Sequence, residues 1–331
     1  MTRNKRALIT GIYGQDGSYL TELLLSKGYD VFGLVRPEDR IPHELKNIYE
    51  RVTLYEGDVC DYASIACALR LSIPDEVYNL ASPSSVVTSL DHPAMTSNAT
   101  ALGPARIMEA LRDLKLSSRF FQASSQEIFG DTNVSPQNEA TLCRPRNPYG
   151  VGKLFAHNMV DVFRKQFGMY AVSGILYNHE SPRRAPGFVT RKITSAVARI
   201  KNGSEEKLIL GDLRAQRDWG YAPEYVEAMW LMLQQDAPED YVVATGAPHS
   251  VEEFVGAAFS HIDLDWREHV KIDDGLKRRA DKVQILGDSS KAKEKLHWEP
   301  RVTFSNLVQI MVDADMHVAQ SPQAVILQQY S

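Results

Sequence analysis

Cysteine is scarce in this chain. Cys60, Cys67 and Cys143 are all that its 331 residues carry, too few and too irregularly spaced for a disulfide framework or a zinc cage. A positive surplus is also missing. The 37 basic side chains meet 42 acidic ones, a net charge of −5, so no overall positive field favours nucleic acid. No apolar run approaches the length that spans a bilayer. The first such run, Ala7-Leu8-Ile9, stops at Thr10-Gly11, short of a signal-peptide core. Histidines lack ligand spacing, so no metal site is expected. Internal repeats and low-complexity linkers are absent as well. At 44% hydrophobic and 24% charged, the composition is that of a globular protein with a sizeable core. Its length suggests two domains or one large α/β unit. The expectation is a soluble, cytoplasmic protein with neither membrane nor nucleic-acid partners.

The first half alternates β-like runs with helical patterns, the signature of a parallel sheet covered on both faces. Ala7 to Thr10, Asp30 to Val35, Val52 to Tyr55, Glu76 to Leu80, Arg119 to Ala123 and Val172 to Tyr177 read as strands. Tyr19 to Lys27, Tyr62 to Leu71, Met95 to Leu114 and Pro148 to Phe167 read as helices. The last opens on Asn147-Pro148, an N-cap followed by proline at the first helical position. After Asn178 strand signals thin out and helices dominate. These are Phe188 to Lys201, Pro223 to Leu233, Val251 to Phe259 behind a Ser250–Glu253 capping box, and Leu307 to Met316. Asp240 to Ala244 reads as a late strand that rejoins the sheet, and the last dozen residues look frayed. The predicted fold is a Rossmann-type, doubly wound parallel sheet with a smaller, mostly helical C-terminal substrate lobe. Residues 1–178, with a returning segment near 221–246, would bind the cofactor. Residues 179–220 and 247–331 would form the other lobe.

Gly11, Gly14 and Gly17, in the run Gly11-Ile12-Tyr13-Gly14-Gln15-Asp16-Gly17, lie between the first strand and the first helix. Glycines there let the backbone turn sharply and approach a pyrophosphate at the helix N-terminus. The second strand ends on Val35-Arg36 where an NAD site usually has a carboxylate. A guanidinium suits a 2′-phosphate and favours NADP, although Glu38 and Asp39 follow at once. The competing reading of Arg36 is a solvated surface residue. Asp58 suits either the adenine amino group or a helix cap.

Tyr149 and Lys153 stand four apart and share a helix face. Beside a bound nicotinamide, two positive charges would depress the phenol pKa from about 10 and make it a base for an alcohol proton. Ser125 and Glu127 fall at the end of the fifth strand, where open α/β sheets place their sites. A dehydrogenase or reductase needs only a hydroxyl there. The added carboxylate points to further proton chemistry, unless it caps a helix or pairs with a cation.

Longer stretches carry a resemblance: GIYGQDGSYL, EVYNLAS, QASSQEIFG, PRNPYGVGK, GILYNHESPRR, FVTRKIT, RDWGYAPEYVEAMW and LGDSSKA. They resemble the extended short-chain dehydrogenase/reductases, specifically the GDP-mannose 4,6-dehydratase family, over nearly the whole chain. The resemblance implies catalytic roles for Ser125, Glu127, Tyr149 and Lys153. It implies NADP contacts at Gly11, Ile12, Tyr13, Gly14, Gln15, Asp16, Gly17, Arg36, Asp58, Val59, Leu80, Ala81, Ser82, Ser84, His179 and Arg184. Ser85, Asn178, Lys192, Arg217 and Arg278 would contact the GDP-sugar. Arg183 and Arg184 would lie at a homo-oligomer interface, dimer or tetramer, and reach a neighbour's cofactor. Tyr13, Pro37, Pro83, Gln126 and the run Arg278-Arg279-Ala280-Asp281 depart from the family pattern. A modified GDP-sugar such as a GDP-heptose therefore stays open, as does epimerase or 4-keto-reductase chemistry on the same fold.

Overall fold

The alternating runs become a sheet in the computed structural model, which describes residues 3–204, 206–276 and 285–319. Its strands in chain order are β1 (Arg6–Thr10), β2 (Asp30–Val35), β3 (Thr53–Glu56), β4 (Glu76–Asn79), β5 (Arg119–Ser125) and β6 (Ala171–Leu176). They continue as β7 (Asn178–Glu180), β8 (Leu208–Leu210), β9 (Gln216–Tyr221), β10 (Tyr241–Val243), β11 (Pro248–Ser250) and β12 (Val270–Ile272). Seven of these pair in the order β10-β6-β5-β4-β1-β2-β3, every pair parallel. The late strand does return, to the edge beside β6. Central strands such as β4 and β6 are buried along their whole length, as a sheet covered on both faces requires. The chain builds outward from β1 to β3 and then returns to β4 on the other flank of β1. Ligands of open α/β sheets bind at such a reversal, beyond the carboxyl ends of the strands. Gly11 sits there with φ +68°, and a Cβ on it would stand 2.8 Å from the Ala81 nitrogen. Only glycine fits.

The helices are α1 (Gln15–Ser26), α2 (Lys46–Tyr49), α3 (Tyr62–Ser72), α4 (Val86–Asp91), α5 (Pro93–Ser97) and α6 (Gly103–Asp113). After them come α7 (Pro148–Phe167), α8 (Val189–Lys201), α9 (Ala222–Met232), α10 (Val251–Ser260), α11 (Ser290–Leu296) and α12 (Phe304–Ala319). Most match the sequence reading, and three differences have physical causes. α1 starts before Tyr19 because the glycine loop winds directly into it. The Ser18 N–H donates to the Gly14 carbonyl, and Gly17 sits so close that a Cβ would meet the Gly11 oxygen at 2.4 Å. The single helix expected over Met95 to Leu114 is α5 and α6 joined by a wider π turn, Asn98–Leu102. Pro104 has no N–H for a helical bond to the carbonyl four residues back. α4 was not anticipated; Ser85 caps it by accepting from the Thr88 N–H at 3.1 Å.

Beyond β7 a second core forms between α8, α10 and α12 around Val197, Phe254, Phe259 and Met311. The capping box of α10 is present. α11 packs instead on the sheet side, through Ala292 and Leu296. The sparse strand signal there hides two small sheets, β11-β9-β7 and β12-β8. Asp218 of β9 is fully buried and accepts from the Thr245 N–H and hydroxyl and the Gly246 N–H. It ties this lobe to the segment after β10. No helix among the described residues is long and apolar enough to cross a membrane. Arg278 and residues 320–331 lie outside the described residues.

Candidate active site

The carboxyl ends of β4, β5 and β6 and the starts of α1 and α7 open into one cavity of about 980 Å³. Ser125, Glu127, Tyr149 and Lys153 all line it. Asp16, Leu80, Ser82, Ser84 and Ser85 join from α1 and the segment after β4, and Asn178, His179, Arg184 and Arg217 from β7 and the chain beyond it. Gly11 to Gln15, Gly17, Arg36, Asp58, Val59 and Ala81 are not part of that lining. Neither is Lys192, whose ammonium donates to the Ile209 carbonyl at 2.8 Å; helical spacing gave no warning of that.

α7 carries the central pair. Asn147 accepts from the Gly150 N–H at 2.8 Å and so fixes the first turn. Lys153 is buried and donates from Nζ to the Ala123 carbonyl at 2.7 Å, with Nζ 5.5 Å from the centre of the Tyr149 ring. Burial lowers the Lys153 pKa to about 8, against the attraction of Asp16. The expected depression of the phenol is not found in the chain by itself. Burial pushes Tyr149 up to about 12, although a hydrogen bond with Ser125 pulls the other way. Desolvation disfavours the charged form of both groups, and a positive charge entering the cavity would draw the phenol back down.

Glu127 follows β5 on a short turn, its N–H donating to Ser125 Oγ at 3.3 Å. Its carboxylate accepts from Asn147 Nδ2 at 2.7 Å. One asparagine therefore starts the helix that bears Tyr149 and aims the carboxylate beside it. This second task left no sequence signal, because the partners are twenty residues apart. Glu127 caps no helix, and no cation among the described residues pairs with it.

Asp16 and His179 join the glycine loop to β7. The ring nitrogens of His179 lie 2.7 Å from the Tyr177 carbonyl and 2.9 Å from the Asp16 carboxylate. Burial opposes the charged ring, but the Asp16 charge and hydrogen bond outweigh it and hold the histidine pKa above its usual value. Gln15 adds a 3.0 Å bond to the His179 carbonyl.

The loop fits a dinucleotide diphosphate. α1 has no side-chain cap at Gly14, so its first N–H groups remain available to an anion. The Tyr49 hydroxyl donates to the Ile12 carbonyl at 2.6 Å, and Tyr13 packs edge-on against Tyr49 at 4.9 Å. Nothing in the sequence singled out Tyr49. Arg36 is half-exposed and pairs with Asp39 at 2.7 Å and Glu38 at 3.2 Å. Asp58 does not cap α3, which Asp61 does; it accepts from the Cys60 N–H at 2.8 Å. Arg183 pairs with Glu22 and lies over Tyr19, whereas Arg184 pairs with buried Glu180 at 3.2 Å and faces this chain's own cavity.

Known proteins share this arrangement at two levels. In fold, the chain is similar to the UDP-glucose 4-epimerase of Thermotoga maritima solved with UDP-glucose. The TM-score is 0.84 at 23% identity, over 95% of this chain and all of that one. In sequence it is much nearer to others. It is 47% identical to GDP-mannose 4,6 dehydratase 1 of Arabidopsis thaliana, over 96% of this chain and 91% of that protein. It is 44% identical to the human GDP-mannose 4,6 dehydratase, over 95% and 92%. A family model described as GDP-mannose 4,6 dehydratase matches residues 8–311, from β1 into α12. Since that span holds the glycine loop, the carboxylate after β5 and the Tyr149–Lys153 helix in one alignment, the chain belongs to the GDP-mannose 4,6-dehydratase family.

Proposed function

We propose that this chain converts GDP-mannose to GDP-4-keto-6-deoxymannose by an internal redox cycle on bound NADP. The observation that carries the reading is the Glu127 carboxylate, held by Asn147 on the same cavity wall as Ser125 and Tyr149. Oxidising an alcohol needs the phenol and the lysine; a second, separately oriented base is needed where a carbon beside the new ketone loses its proton, as elimination requires. The glycine loop at the start of α1 would hold the cofactor, whose nicotinamide would supply the hydride acceptor and donor that links C4 to C6. Tyr149 takes the proton of the C4 hydroxyl, with Ser125 hydrogen-bonded to it. The ketone at C4 then acidifies the C5 hydrogen, which Glu127 removes. Protonated Glu127, with Ser125, gives that proton to the departing C6 hydroxyl, and C5 regains a proton from the Tyr149 side. The net change is loss of one water. Mass spectrometry of the product from purified protein and GDP-mannose tests the reading, and a product that keeps its C6 oxygen would refute it.

We assign the two tasks to two parts of the chain. Residues 1–178 with 221–246 hold the cofactor, and 179–220 with 247–331 hold the GDP-sugar. Asn178, Arg217 and Arg278 serve the nucleotide; Lys192, bound to Ile209, is the weakest of that group. The reaction belongs to the cytoplasm, where Cys60, Cys67 and Cys143 stay free thiols. Copies of this chain would pair through the exposed apolar residues Val151, Phe155 and Val162 along α7, with Leu90, Met95 and Leu102 alongside. Such a contiguous patch marks an interaction surface, and a monomer in light scattering would remove this idea.

NADP is preferred to NAD because Arg36 stands where a 2′-hydroxyl acceptor would otherwise be. In the chain alone Asp39 accepts from the guanidinium, which would turn to a 2′-phosphate when the cofactor binds. A charge-assisted hydrogen bond contributes about 1.5–3 kcal/mol, so NADP should bind at least about tenfold tighter. Arg36→Ala should erase most of that difference. Equal affinities for the unaltered protein in calorimetry would defeat the assignment.

A further inference from the structure

Arg184 lines the cavity from the loop 181–188, which joins β7 to α8. Its guanidinium lies over Phe188, 3.6 Å from the ring centre, and its Nε is 3.2 Å from the Glu180 carboxylate. Of its guanidinium nitrogens only Nε is shut in, so the terminal pair is left for an anion. Its charge is felt by Tyr149, Asp16 and His179, which line the same cavity. The loop itself has little to hold it, since Ala185, Pro186 and Gly187 are exposed. Two neighbours at the start of α8 supply the grip. Thr190 donates from its hydroxyl to Glu180 at 2.6 Å. Arg191 donates from Nε to the Arg184 carbonyl at 3.1 Å and from Nη1 to Asp315 of α12. Asp315 is 7% exposed and also accepts from the Ser195 hydroxyl at 3.3 Å.

We propose that Arg191 and Asp315 are positioning residues: they fix the main chain of Arg184, whose guanidinium then grips a phosphate of a bound nucleotide. A buried ion pair by itself is weak evidence for stability, and apolar side chains of similar volume often serve as well or better. Apolar side chains could not, however, donate to the Arg184 carbonyl. The fork of Arg191 serves the loop with one nitrogen and Asp315 with another, where a lysine has only one to offer. Asp315 stands beyond residue 311, where the family match ends, so the resemblance assigns it nothing. Both NADP and a GDP-sugar carry phosphates, and the test separates the two. The inference rests on the proposed nucleotide binding in this cavity, though not on the dehydration.

Calorimetry with NADP and, separately, with GDP provides that test. Arg184→Met should weaken at least one of the two about tenfold to a hundredfold, and the one affected shows whose phosphate is held. Arg191→Met combined with Asp315→Leu replaces the ion pair by apolar groups. It should weaken the same nucleotide at least about threefold. Added to Arg184→Met, these two changes should cost nothing more, because they act through Arg184. Arg191→Lys keeps a charge against Asp315 and should show the same pattern even if the apolar pair does not fold. Unchanged affinity for both nucleotides in Arg184→Met or in Arg191→Lys would overturn the proposal. A further loss in the Arg184→Met background would overturn it equally, since Arg191 and Asp315 would then only be supporting the lobe. An unaltered protein that binds neither nucleotide would instead overturn the nucleotide reading, and this inference with it.

Discussion

Glu127→Gln should stop turnover while leaving the oxidation of C4 alive. Glutamine keeps the size of the side chain, and its amide oxygen can still accept from Asn147 Nδ2, the 2.7 Å contact that sets the geometry. What it cannot do is take a proton. A hydrogen beside a ketone is still a poor acid at neutral pH, and general-base catalysis typically contributes about 10²–10⁴-fold. Turnover should fall by at least that factor. The absorbance of reduced cofactor should rise when GDP-mannose is added and then persist, with no 6-deoxy product. Exchange of the C5 hydrogen in deuterated water should slow in parallel. Normal turnover, or exchange at the parent's rate, would show that Glu127 is not the base.

Tyr149→Phe should remove both halves of the reaction. The ring is buried, so the phenylalanine fills the same space and no cavity is created. The C4 proton, however, loses its acceptor, since Lys153 is directed at the Ala123 carbonyl. The loss should again be about 10²–10⁴-fold, but this time with no reduced-cofactor absorbance. The phenol sits at about 12 in the chain alone. A base of that kind works better as pH rises, so the unaltered enzyme should gain rate with increasing pH across the neutral range. The Tyr149→Phe variant should lose that dependence. Reduced cofactor appearing at the parent's rate in this variant would assign the first proton transfer to another group.

The residues whose chemistry depends on local order were legible before any coordinates. Tyr149 and Lys153 open a helix, Ser125 and Glu127 end a strand, and parallel α/β sheets gather such positions at one edge. The six early strands were legible because short β-like runs alternate there with longer helical patterns. What was not legible depends on distance along the chain. The pairs Asp16–His179, Gln126–Asn178 and Asn147–Glu127 form only after folding. Lys192 entered as a GDP-sugar contact through the family resemblance alone, and its bond to the Ile209 carbonyl is not visible in sequence. The small lobe's strands are mostly three residues long, too short to show a period of two. The π turn was foreseeable from Pro104, yet periodicity alone ran straight through it.

The claim that stands behind every role above is that the hydride removed from C4 is kept and returned to C6 of the same sugar. GDP-mannose carrying deuterium at C4 tests it in one measurement, with product analysed by mass spectrometry and NMR and free NADPH left out. The account predicts a product lighter by one water, with the deuterium at C6 and solvent hydrogen at C5. Deuterium lost to the medium, or product that forms only when NADPH is supplied and consumed, would contradict it.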